Sequence, residues 1–158
     1  MANDNVKIVV DLPGHWAGVG GEGIWARQVG PDLYEIDNIP FHAYGLSMGD
    51  IVRAVPRTPT QKPLLTNVVE SRGHRTLRAV FQGSLERGQQ DQHLESLRVL
   101  GARTEWATTR LVAIDVPPSA DYEAIVSVLA AHSTDGLLDY ETCEERIPGS
   151  FTSGSDDE

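Results

Sequence analysis

RTLRAVFQGSLERGQQDQHLESLRVLGARTEWATTRLVAIDVPPSADYEAIVSVLAAHSTDGLLDYETCEE, residues 75–145, is the stretch whose reading decides the fold. Residues 75–82 alternate as a strand does: Leu77, Ala79 and Phe81 share one face, and Thr76, Arg78 and Val80 the other. Past Gly83 the period lengthens. Asp91 is a good N-cap for a helix reaching about Leu100, with Leu94, Leu97 and Leu100 on one stripe and Gly101 placed for a left-handed C-terminal cap. Arg103–Ala107 and Arg110–Val116 read as strands joined by Thr108-Thr109. Pro117-Pro118 stops the second, and Ser119 caps a helix whose first turn holds Asp121 and Glu123 at the positive helix end. Tyr122, Ile125, Val126 and Leu129 have the spacing of a buried helical face. Gly136 ends it, and Leu137–Cys143 is a last strand. Strand, helix, strand, strand, helix, strand is the split βαβ order of ferredoxin-like domains, with two helices on one face of a four-stranded antiparallel sheet.

Upstream there are only strands and turns. Val6–Leu12, Ile24–Val29, Leu33–Ile36, Asp50–Val55 and Leu64–Glu70 are bounded by Pro and Gly turns, and residues 13–23 form a glycine-rich loop. The fold expected is therefore α+β: an N-terminal small β-barrel or curled sheet over residues 1–74, then a ferredoxin-like βαββαβ half over 75–147. Strand 75–82 is placed to serve both halves. Residues 148–158 read as a disordered acidic tail.

The chain has 158 residues, 40% hydrophobic and 23% charged, enough to bury a core. Its charge is uneven. Residues 1–52 hold seven acids and two bases, residues 53–110 five and ten, and residues 111–158 eleven and one, for a net −10. Such an acidic last third repels nucleic acid and anionic lipid and suits a basic protein partner, though solubility alone also explains it. No run is long enough to cross a bilayer or to serve as a signal-peptide core, so a cytoplasmic location is expected. Cys143 is the single cysteine; it forms no internal disulfide and reads as a packed thiol. Eleven of the thirteen basic residues are arginine, which fits a GC-rich bacterial source.

Several short motifs sit together in the first half. They are Gly23-Ile24-Trp25-Ala26, the turn Asp37-Asn38-Ile39-Pro40-Phe41, the strand start Gly49-Asp50-Ile51-Val52 and the turn Ser71-Arg72-Gly73-His74. In this combination the chain resembles a bacterial family catalogued as domain of unknown function 4265, over most of residues 22–145. The resemblance implies one shared fold and carries no catalytic residue across.

Each candidate site has a plainer reading beside it. Asp37 and Asn38 either line a ligand cleft or bond nearby backbone to hold a corner. Asp50 and His74, at strand ends in the same half, are the candidate acid–base pair; alternatively Asp50 fixes a turn and His74 is solvated. Arg72, His74, Arg75 and Arg78 are the densest cationic group, its arginines suited to phosphate or carboxylate, or else a solvated edge or paired with the acidic C-terminal segment. Gly18-Val19-Gly20-Gly21-Glu22-Gly23 lacks the Lys-Ser/Thr of a phosphate loop. Trp16, beside His15, reads as an exposed contact, a lid or a core ring. No histidines stand at i, i+4 on a helix, and no metal or cofactor is expected.

Two functions follow as expectations. The first is a non-catalytic binding protein, an accessory, regulatory or immunity-like factor docking a protein partner, with open sheet edges that also suit a homodimer. The second is a small enzyme or metabolite-binding domain holding an anionic ligand in the cleft between the halves.

Overall fold

A computed structural model describes residues 5–13, 15 and 18–144. Trp16 and the acidic tail 148–158 lie outside the described residues. β1 (Asn5–Asp11), β2 (Gly21–Gly30), β3 (Leu33–Ile36), β4 (Ile51–Val55) and β5 (Leu64–Glu70) close into a barrel. Successive strands are antiparallel, and Val9 meets Leu64 in parallel to join the first strand to the last. The Val9 amide donates to the Pro63 carbonyl at 2.9 Å at this seam. Alternation decides which side chains go inside: Ile8, Val10, Ile24, Ala26, Val52 and Ala54 are fully buried in one core. A slip of one residue would turn each set to solvent. On the outer face Lys7 lies over the exposed Trp25 ring, its cross-strand neighbour.

β6 (Arg75–Phe81), α1 (Arg87–Arg98), β7 (Arg103–Trp106), β8 (Leu111–Val116), α2 (Tyr122–Thr134) and β9 (Leu138–Thr142) follow. Their strands form a second antiparallel sheet in the order β7-β8-β6-β9. Leu77, Ala79 and Phe81 share a core with Leu94 and Leu97 of α1 and Ile125 and Leu129 of α2. Both helices therefore cover the same face of the sheet. Burying each such Leu, Ile or Phe contributes about 1.5–3 kcal/mol. The architecture is mixed α/β with two antiparallel sheets. β6 pairs with β8 and β9 and belongs to the second sheet, so it is not shared between the two.

Both helix starts differ from expectation. α1 begins at Arg87, because Glu86 and Gln89 form a capping box in which the Glu86 amide donates to Gln89 Oε1 at 2.9 Å. Asp91 instead pairs with Arg98 at 2.9 Å. The cap of α2 is Asp121, which accepts the Ala124 amide at 3.1 Å, and not Ser119. Gly101 takes its expected role: at φ 104° it turns the chain out of α1, where a Cβ would come within 2.9 Å of the Ala120 side chain.

The segment between β3 and β4, residues 37–50, joins the two sheets. It lies across the helix-free face of the second. Arg78 donates to its carbonyls of Pro40, His42 and Ala43, and Thr76 Oγ1 to that of Leu46. Its Gly45 amide donates to the Cys143 carbonyl at 2.8 Å, and its Ile39 amide to Glu105 at 3.3 Å. The cleft expected between the halves is thus filled by this loop, which leaves a cavity towards each end of β6.

Candidate functional site

At the Phe81 end of β6, Arg78, Glu141 and Glu22 are all engaged. Arg78 is 2% exposed, donates to three loop carbonyls and pairs with Glu141 at 3.0 Å. Glu22, on the barrel side, accepts the consecutive amides of Phe41, His42 and Ala43 at 2.6–3.0 Å. One carboxylate and one guanidinium thus hold the two polar edges of residues 40–43. His15 Nε2 donates to the His42 carbonyl at 2.9 Å. Beside this cluster lies a cavity of about 290 Å³ with Phe41, Val80 and Leu111 as apolar wall and Asp139 and Glu141 as acidic edge.

At the Arg75 end a second cavity, about 440 Å³, is polar. Asp50 is 4% exposed and lines it. One oxygen, Oδ2, accepts the Ser47 amide at 2.9 Å and closes the turn before β4. The other, Oδ1, is buried without a hydrogen-bond partner among the described residues. Burial pushes the carboxyl up from 3.8 to about 6; the amides of Ser47 and Arg72 and the charge of His74 oppose that rise. The Arg72 amide also faces this carboxylate.

His74 follows Gly73, whose φ of 91° turns the chain from β5 into β6. Its ring lies against Gly49: a Cβ there would stand 3.3 Å from Cδ2 and 3.6 Å from Nε2. Nδ1 meets Asp115 Oδ1 at 2.8 Å. Asp115 is fully buried in β8, and among the described residues its Oδ2 is also without a partner. Asp50, His74 and Asp115 thus form a chain of groups from the cavity wall into the sheet. A carboxylate holding one imidazole nitrogen fixes the tautomer and leaves the other nitrogen for a ligand or a proton.

A family model for a domain of unknown function, DUF4265, matches residues 22–140. The chain belongs to that family. The solved structure of a hypothetical protein from Neisseria gonorrhoeae is similar in fold, at TM-score 0.72 and 13% identity, over 90% of this chain and 95% of that one. No curated protein matches.

In this DUF4265 chain the motifs that carry the family resemblance supply Phe41 to the first cavity and Asp50, Ser71, Gly73 and His74 to the second. Asp50 and His74 line the same cavity, but the direct partner of His74 is Asp115, which sequence reasoning missed. The signal for it was a carboxylate inside the otherwise apolar run Leu111–Val116. The three arginines do not assemble a cradle for an anion. Arg75 points to the helix side, stacks on Tyr122 at 3.6 Å and pairs with Glu144, its Nη2 at 2.8 Å from Oε1. Arg78 points to the opposite side of β6, and Arg72 is exposed, 4.0 Å from Glu70. Odd and even positions of one strand cannot converge, and each of these cations already faces a carboxylate.

Asp37 and Asn38 hold a corner. Asp37 accepts from Asn5 Nδ2 and Asn38 from the Trp25 amide, both at 2.7 Å, and neither lines these cavities. Cys143 lines the polar cavity, but burial pushes its thiol up to about 12, which disfavours the thiolate.

Proposed function

We propose that this protein is a non-catalytic binding protein, an accessory, regulatory or immunity-like factor, and that it docks a basic polypeptide partner at the apolar cavity beside β9. The observation that carries the reading is the make-up of that cavity. Phe41, Val80 and Leu111 offer apolar contact, with Val80 39% exposed, and the exposed Asp139 stands at the rim beside Glu141. A basic side chain flanked by apolar ones complements such a surface. The net charge of −10 favours the same partner and disfavours nucleic acid and anionic lipid.

The strand order and the helices on one face support a ferredoxin-like reading of the second half, with a division near residues 74 and 75. β7 and β9 are its outer strands, and either edge suits strand addition or a homodimer. The lone buried Cys143 is compatible with residence in the cytoplasm.

A partner recovered on the immobilised protein should bind again once purified, more weakly as salt rises. Val80→Glu and Asp139→Lys should each weaken it about tenfold or more. Recovery of no stoichiometric macromolecule, or unchanged affinity in both variants, contradicts the reading. A metabolite-binding or enzymatic role is the second reading, favoured by the polar cavity holding Asp50 and His74.

A further inference from the structure

We propose that the polar cavity lined by Asp50 and His74 is a binding site for a small organic cation bearing N–H donors, a primary ammonium or guanidinium group. Its case is independent of the protein-docking surface at the other end of β6.

The first ground is the hydrogen-bond account. Asp50 is 4% exposed, it lines the cavity, and Oδ1 has no partner among the described residues. Buried carboxylate oxygens are rarely left so, because removal from water is costly unless a donor replaces it. Asp115, one step behind, has the same deficit at Oδ2.

The second ground is charge. Asp50 and Asp115 are two buried carboxylates: Asp115 holds the His74 imidazole at 2.8 Å, and Asp50 lines the same cavity as His74. One imidazole carries at most one positive charge, fewer than the negative charges two carboxylates can carry. Arg75 does not supply the missing cation: its guanidinium is held by Glu144 and stacked on Tyr122. Arg78 is spent on Glu141 and the loop carbonyls at the far end of the strand. Among the described residues no other cation lines the cavity, so its carboxylates lack a full complement of positive charge.

The third ground is the donor and acceptor pattern. With Nδ1–H donating to Asp115, Nε2 of His74 keeps a lone pair, and the ring lines the cavity along with Asp50. The hydroxyls of Ser47 and Ser71 add acceptors to the lining. An ammonium or guanidinium group needs such acceptors and no proton of its own from the protein. A metal ion fits less well: among the described residues no group of three or more His, Cys, Asp or Glu side chains is placed to hold one. A free anion meets Asp50. The volume of about 440 Å³ suits a ligand the size of an amino acid or a short diamine.

The test uses the full chain at pH 8, where the Asp50 carboxyl, at about 6, is ionised. The probes are ethylammonium and 1,4-diaminobutane, with tetramethylammonium as a cation without N–H donors and inorganic phosphate as an anion. Thermal unfolding and the imidazole NMR signals of His74 are read together. Near a hundredfold excess over Kd, an N–H cation should raise Tm by about 5 °C or more and shift the His74 signals. Tetramethylammonium and phosphate should do neither. Asp50→Asn should weaken the N–H cation about tenfold or more, and His74→Gln, a second variant should the first not fold, should weaken it as well. Absence of any response to both N–H cations overturns the proposal. So does an equal response in wild type and variants, or a response to phosphate or tetramethylammonium as large as that to the amines.

Discussion

Two polar clusters sit under the same loop, and they are finished differently. At one end of β6, Glu22 and Arg78 hold residues 40–43 with every named charge met by a partner. At the other, Asp50 and Asp115 each keep a buried oxygen without one among the described residues, and the space beside Asp50 is open. A satisfied buried network fixes one arrangement of the chain. An unsatisfied one costs stability, and a fold retains it where a ligand or a proton makes up the deficit. The first cluster is the clasp between barrel and sheet, and the second is the place to look for chemistry.

The sharpest way to break this contrast is to open the clasp. Arg78→Met removes the guanidinium and leaves Glu141 and three loop carbonyls without it, so urea unfolding should show a loss of about 3–5 kcal/mol. Glu22→Ala strands three amides at once and should cost about 3 kcal/mol by the same measurement. At the bottom of the scale is Arg75→Gln. The Arg75–Glu144 pair is 43% and 51% exposed, and its loss should change stability by about 0.5 kcal/mol or less. A loss from Arg75→Gln as large as that from Arg78→Met would erase the distinction between a surface pair and the clasp.

The strands were legible because burial on one side writes itself as alternation. Leu33–Ile36 and Leu64–Glu70 are found as read, and both helices pack through the leucines and isoleucines that their spacing put on one face. The start of α1 was not, because Asp91 is the better cap by residue type, while Glu86 succeeds through its reciprocal partner Gln89. Of the site, Asp50 and His74 were visible as polar residues at turns. Asp115 was not, since its role depends on β8 lying beside β6 so that a residue 41 positions from His74 stands at hydrogen-bond distance. The arginines misled for a related reason. Closeness in sequence suggested a cluster, but the strand sends Arg75 and Arg78 to opposite faces.

The most direct test of an unmet charge at Asp50 is the stability of wild type against Asp50→Asn between pH 4 and pH 8. The folded carboxyl sits at about 6, above its ordinary 3.8, so the native chain holds that proton more tightly than the unfolded chain. Stability from this group is whole below about pH 4 and is lost as pH rises to 6, by about 3 kcal/mol in all. Asparagine keeps the acceptor for the Ser47 amide and never ionises. The two proteins should therefore be close in stability at pH 4, and the variant should be the more stable by about 1–3 kcal/mol at pH 8. A difference that stays flat across that range, or a variant less stable at pH 8 than at pH 4 relative to wild type, would contradict it.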